Sequence, residues 1–267
     1  MEPSPPSKRA VSQYATTSEK LAQRVAILSY DTNPQPWYAW LSSHLDIASA
    51  KDILEVGSGT GELWQHVDSS SSSSSLAAKS ITLTDFSAAM CDKLREIHSH
   101  PPTSATVKQC DAASLPFEDS AFDLVIANHM LYHLDSPEAA LVEFARVLRP
   151  GGRLAVSLNG RDHIAELLEL GRTVGRPSPI LDAARITAET APALLSKYFE
   201  DVATERFPGD FDVPVAGPVL GYLDSWGNEA MRGQQEADAR ALVEKRIAEE
   251  GSFRVRKNMV LFLAVKA

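Results

Sequence analysis

Apolar and polar positions along the chain alternate between short apolar runs and longer stretches of helical spacing. Residues 53–56 form a run too short for a helix and right for a buried strand. Gly57, Gly59 and Gly61 follow at alternate positions, and residues 62–67 then read as a helix. Residues 81–84 predict a second strand. Ser87 is placed to cap a helix whose Met90, Leu94 and Ile97 face inward. Residues 106–110 predict a third strand. Residues 122–127 are apolar on both faces, as a central parallel strand would be. Ser136 and Pro137 open a helix with Leu141, Phe144, Val147 and Leu148 at helical spacing. Arg149-Pro150-Gly151-Gly152 stops it, and residues 153–158 predict a fifth strand. Residues 199–207 predict a sixth strand, and 253–266 a last one antiparallel beside it. This alternation predicts an α/β fold with a doubly wound sheet of seven strands.

The remaining segments read as helical additions. Residues 19–29 predict a helix with Leu21, Val25 and Leu28 on one stripe. Pro34 and Pro36 stop it and start another that carries Trp37, Tyr38 and Trp40. Residues 161–195 predict helices broken at 175–179. Residues 210–226 bring Phe211, Tyr222 and Trp226 towards an apolar pocket. Residues 229–249 predict a charged amphipathic helix with Ala239, Leu242, Val243 and Ile247 turned inward, its charges facing water.

Composition narrows the function classes. A chain of 267 residues with 44% apolar content suits one large domain with an appended cap. The expected organisation is a tail over residues 1–18 and one domain over 19–267. No apolar run approaches the roughly 18 residues of a membrane span, and no signal-peptide core is seen, so a cytoplasmic, non-membrane protein is expected. The net charge of −9 argues against nucleic-acid or anionic-membrane partners. Two cysteines, Cys91 and Cys110, make no disulfide framework, and no Cys/His or carboxylate spacing suggests a metal. Ser69 to Ser75 is an uninterrupted serine run, which reads as a loop.

The candidate chemistry starts at the glycines. Strand, glycine turn and helix make a nucleotide cradle, because glycine lets a ligand approach the backbone and the helix start offers free N–H groups. The spacing is G-x-G-x-G with Glu62 next, not the G-x-G-x-x-G of dinucleotide enzymes. A phosphate-binding Gly-Lys-Ser/Thr ending is also missing. Glu55, two residues before the first glycine, suits a ligand carrying an ammonium group. Asp85 ends the second strand, where a carboxylate can accept from both ribose hydroxyls. It lies 30 residues after Glu55; removing the serine run brings this near the roughly 20 expected after a glycine motif.

These residues resemble the class I S-adenosylmethionine (SAM) methyltransferases of small-molecule type, in particular the ubiquinone/menaquinone-biosynthesis-like ones. The resemblance covers about residues 53–159, through the glycine motif, Leu83-Thr84-Asp85-Phe86-Ser87-Ala88-Ala89-Met90, the stretch from Asp111 to Asp123, and the helix, Pro-Gly-Gly stop and strand of 137–158. It implies a Rossmann-like sheet with its last strand antiparallel, and SAM as cofactor, leaving S-adenosylhomocysteine as product. Cofactor contacts are implied for Glu55, Gly57, Ser58, Gly59 and Gly61, and for Asp85 on the ribose. Phe86 and Met90 would flank the adenine or ribose, Asp111 would accept from the adenine amine and the Ala112 N–H would meet the ring. Asn128 falls beside the methionine half. His133, His129 and Tyr132 are the candidate catalytic side chains. A histidine there either takes the proton from an attacking hydroxyl or amine or only braces the loop.

Residues 19–45 then read as lid helices, and about 160–195 plus 210–228 as substrate-cap elements. The implied activity is methyl transfer to oxygen or nitrogen of a small, largely apolar metabolite, by a monomer or homodimer. Two alternatives stand beside it. One is a SAM-binding relative that does not methylate, a cyclase or a regulatory binder. The other is a nicotinamide-dependent oxidoreductase, against which the absent sixth-position glycine argues.

Overall fold

A computed structural model describes residues 18–70, 79–97, 105–178, 185–226 and 229–267. The expectations for residues 1–17 and for Ser71 to Ser75 lie outside these. The chain divides into two compact units.

The larger unit comprises residues 35–159, 185–207 and 259–267. Its strands are β1 (Asp52–Val56), β2 (Ser80–Asp85), β3 (Thr106–Gln109), β4 (Phe122–Asn128), β5 (Leu148–Asn159), β6 (Glu200–Arg206) and, near the C-terminus, Met259–Val265. The last is labelled β9 because two strands of the other unit precede it. The sheet order is β3-β2-β1-β4-β5-β9-β6. The first five strands are parallel, and β9 lies between β5 and β6, antiparallel to both. The expected seven-stranded Rossmann-like sheet is therefore present, with its last strand inserted between the fifth and sixth.

Helices α2 (Trp37–His44), α3 (Glu62–Ser70), α4 (Ala88–Ile97), α5 (Pro137–Val147) and α7 (Ala191–Leu195) accompany this sheet. Alternation along each strand feeds two apolar cores. Leu54 and Val56 join Leu141, Phe144 and Phe262 in one; Ile53 joins Leu41, Trp64 and Leu94 in the other. Ser136 caps α5 by accepting from the Ala139 N–H at 3.3 Å, and Pro137 takes the first turn, as read from the sequence. Ile97 does not face inward; it is exposed as the last residue of α4, where no further turn holds it against the core. The fifth strand starts earlier than expected. Leu148 already pairs with Phe122, and an irregularity before Leu124 restores the register at Arg153.

The second unit comprises the described parts of residues 1–34, 160–184 and 208–258. It holds α1 (Ser18–Val25), α6 (Ala165–Thr173), α8 (Ala216–Asp224) and α9 (Gln234–Glu250), with β7 (Phe211–Val213) paired antiparallel to β8 (Phe253–Val255). Its core gathers Ile27, Leu167, Phe211, Val219, Leu223, Val243 and Val255. Four expectations change here. The strand expected over 253–266 is two strands, with residues 253–255 serving this small pair and 259–265 the large sheet. The helix expected over 19–29 becomes a 3₁₀ turn at Ala26–Tyr30. Three residues per turn shift the phase beyond Val25, so Ile27 is buried while Leu28 is exposed; Val25, the last residue of α1, is exposed as well. Phe211 belongs to this unit's core as a strand residue, and Leu242 on α9 is exposed, while Ala239, Val243 and the partly buried Ile247 make the inward stripe. Four i,i+4 ion pairs lace α9, including Arg246 with Glu250 at 3.3 Å, so its charges occupy one another on the surface.

Candidate functional site

The carboxyl ends of β1 to β4 carry the residues that the glycine motif pointed to. The turn after β1 needs left-handed backbone at Gly57, Gly59 and Gly61, whose φ values are +71°, +56° and +73°. Its neighbours fix it. The Ser58 N–H donates to the Thr84 carbonyl at 2.9 Å, and the Gly61 N–H to the Ser58 carbonyl at 2.9 Å. The first two glycines have different surroundings. A Cβ on Gly57 would stand 2.8 Å from Cβ of Met130, so this glycine is required by packing. A Cβ on Gly59 would meet no atom within 4 Å, so its backbone faces open space. That open face is what a bound nucleoside requires.

Two acids serve this turn differently. Glu55 is 2% exposed and lies under the loop. Its Oε2 accepts the indole N–H of Trp64 at 2.8 Å. Burial pushes its carboxyl up to about 7, opposed by hydrogen bonds from Trp64 and Ser58 and reinforced by the nearby Asp85. Asp85 is half-buried at the tip of β2. One of its oxygens accepts from the Gly59 N–H at 3.0 Å and the other from the Ser87 N–H at 2.8 Å. Burial raises its pKa, and these backbone donors pull it back. Asp85 thus ties the second strand to the glycine turn, and a carboxylate can accept further hydrogen bonds on each oxygen.

Phe86 follows, with 54% of its surface exposed beside a buried Met90. A large ring held in water at a strand tip is a surface that a flat ligand can cover. Past β3, Asp111 is exposed and receives the Ala113 N–H at 2.9 Å, with Ala112 buried between them.

At the tip of β4 the chain turns at His129, a non-glycine residue with φ +51°. Its N–H donates to both the carbonyl and the hydroxyl of Ser157, each at 3.1 Å. The Ser157 hydroxyl donates to Oδ1 of Asn128 at 2.5 Å. Rings then run along this corner. Trp37 and His129 have centroids 5.0 Å apart, His129 and Tyr132 6.3 Å, and Tyr132 and His133 4.4 Å. Phe207 closes on Trp37 at 5.2 Å. Burial lowers the His133 imidazole to about 4, so it is neutral at ordinary pH and able to accept a proton, though as a weak base. The His133 backbone N–H closes the 3₁₀ turn Leu131–His133 by donating to the Met130 carbonyl at 3.0 Å.

All the sequence-derived candidates but Met90 therefore fall on the strand tips and following turns of the larger unit, and Met90 lies in the first turn of α4. Three participants were missed. Trp64 engages Glu55 from the buried side of α3. Met130 fills the space over Gly57. Ser157 organises the β4 corner, and its one sequence signal is a lone hydroxyl inside the apolar run of β5.

Glycine turn, acid-tipped second and third strands and this sheet order give the larger unit a Rossmann-like fold similar to that of the class I, SAM-dependent methyltransferases. Residues 54–156 match the family model described as a methyltransferase domain. Over 109 residues the chain is 35% identical to malonyl-(acyl-carrier protein) O-methyltransferase of Hahella chejuensis, covering 40% of this chain and 36% of that one. It is 28% identical over 120 residues to a ubiquinone/menaquinone biosynthesis C-methyltransferase of Cupriavidus metallidurans, covering 45% of this chain and 48% of that one. The matches thus span about half or less of each relative. Among solved structures, the (4+2)-cyclase SpnF superposes with a TM-score of 0.59 at 18% identity, over all of this chain and 98% of that one. At that identity the likeness is one of fold.

Proposed function

We propose that this chain transfers the methyl group of SAM to an oxygen or nitrogen atom of a small, largely apolar metabolite. The observation that carries the reading is the open backbone face of Gly59 with the Asp85 carboxylate bonded directly to its N–H. When bound, SAM supplies a sulfonium-activated methyl group, and the protein's task is mainly alignment. Asp85 would hold the ribose hydroxyls, Asp111 and the Ala112 N–H the adenine edge, and Phe86 and Met90 the ring faces. Gly57, Ser58, Gly59 and Gly61 supply the backbone that lies against the ligand, with Glu55 beneath.

Aromatic rings at Trp37, His129, Tyr132 and Phe207 favour an acceptor with apolar surface. His133, neutral in its buried setting, is the candidate to receive the acceptor's proton. Selectivity for the acceptor would come from the segments over 19–45, about 160–195 and 210–228, which the family match does not reach. The acidic charge balance, −9 overall, is unfavourable for a nucleic-acid acceptor. No helix among the described residues is long and apolar enough to cross a membrane.

Calorimetry with SAM and S-adenosylhomocysteine tests the cofactor half directly. Wild-type protein should bind both. Asp85→Ala should weaken binding by about tenfold to a hundredfold, the worth of hydrogen bonds to a charged group. Folded wild-type protein that gives no heat with either ligand would remove the basis of the reading.

A further inference from the structure

We infer that Ser157 is a positioning residue: it orients the Asn128 carboxamide so that its N–H groups grip a carboxylate, that of the amino-acid end of the cofactor. The inference rests on the cofactor reading above. Ser157 is almost wholly buried in β5 and faces Asn128 across the parallel ladder. A serine hydroxyl has one proton to give and two lone pairs. The His129 N–H at 3.1 Å takes a lone pair. The proton then needs an acceptor, and the Asn128 side-chain atom at 2.5 Å is the partner in reach. An amide NH₂ there could not accept it, so the atom facing Ser157 is Oδ1 and the NH₂ faces away.

The NH₂ of Asn128 is therefore a donor pair aimed by its neighbour. It sits on a half-buried residue at the carboxyl end of β4. The same hydroxyl helps hold His129 in left-handed backbone, a conformation that a side chain other than glycine's adopts at a cost. Two groups at one corner are thus organised by a single side chain.

Strand order says which part of the ligand this corner serves. β1, with the glycine turn, has β2 and β3 on one side and β4 on the other. The acids suited to ribose and adenine, Asp85 and Asp111, lie on the β2–β3 side. A ligand gripped there has its amino-acid end left for the β4 side. That end carries an ammonium, which calls for acceptors, and a carboxylate, which calls for donors. The Asn128 oxygen is turned to Ser157 and the NH₂ faces the other way, so what the amide presents to a ligand is donors, and the carboxylate is their match.

The test compares two ligands on the 267-residue chain. S-adenosylhomocysteine has the amino-acid end; 5′-methylthioadenosine has the same nucleoside and lacks it. Ser157→Ala should bind S-adenosylhomocysteine about tenfold more weakly and methylthioadenosine unchanged within about twofold. Asn128→Asp keeps an acceptor for the Ser157 hydroxyl but removes the amide donors, and should show the same selective loss. If Ser157→Ala does not fold, Asn128→Asp decides alone. Equal weakening of both ligands, or weakening of neither, overturns the role given to Ser157. Wild-type protein that binds neither ligand overturns the cofactor reading instead, so the two failures are distinct.

Discussion

The two units use buried polar groups in opposite ways. In the smaller one, polar side chains consume each other. Lys257, whose side chain is 1% exposed, donates to both oxygens of Asp31 at 2.6 and 2.5 Å, and burial lowers its pKa while Asp31 supports the charge. Arg176 donates to the carbonyls of Leu223, Asp224 and Glu229. His163 accepts the Asn258 N–H at 3.1 Å, and burial lowers its pKa to about 4. In the larger unit, polar groups at the strand tips are fixed by one or two neighbours and keep capacity for another partner. Asp85, Asp111 and Asn128 are all of this kind. Closed networks hold a fold together; half-open ones at the carboxyl ends of parallel strands are where a ligand can complete the set.

Breaking the closed network should have the largest effect. Asp31→Ala would remove both hydrogen bonds that the buried Lys257 ammonium makes to that carboxylate and should cost about 3–5 kcal/mol, read as a drop in the denaturant midpoint of the smaller unit. The matching change on the open side, Asp111→Ala, should leave stability within about 0.5 kcal/mol and lower affinity for SAM instead. A large stability loss at Asp111 would erase the contrast.

Glu55 sits between these cases, in the larger unit yet closed off by Trp64. Its pKa is raised to about 7 from an ordinary value of 4.5, so the folded protein holds this proton more tightly than the unfolded chain. The stabilisation is full below about pH 4.5 and is lost as pH rises towards 7, by on the order of 3 kcal/mol at most. Glu55→Gln, whose side-chain oxygen can still accept from Trp64, should flatten the stability profile across that window. An unaltered slope would assign the pH dependence to other groups.

The glycine pair sharpens the contrast at the smallest scale. Gly57→Ala meets Met130 and left-handed strain together, and should cost roughly 2 kcal/mol of stability. Gly59→Ala carries the strain alone, about 1 kcal/mol, but its methyl group projects into the open face. Thermal melts should rank Gly57→Ala as the more damaging. Ligand titration of the folded variant should show Gly59→Ala losing SAM affinity.

Legibility in the sequence followed the range of the interactions. The cap Ser136-Pro137, the glycine turn and the acid at the end of β2 are encoded within a few residues, so the order of elements through β5 could be read directly. The contact of Trp64 with Glu55 spans nine positions but depends on which face of α3 is buried. Ser157 and Asn128 are 29 residues apart and meet only through strand register. The β7–β8 pair was invisible, since three-residue strands leave no usable period, and its partners at 211 and 255 are separated by a long helix.

By itself, then, the sequence determined the parallel sheet and the chemistry at its strand tips, because hydrophobic period and turn residues act locally. Tertiary structure alone decided which polar groups stay open. It paired Lys257 with Asp31 across 226 residues, sank Glu55 beneath the loop it precedes, and turned the Asn128 amide by means of a serine on the neighbouring strand. A hydrogen bond is assigned by distance and direction in space, and the spacing of letters along a chain carries neither.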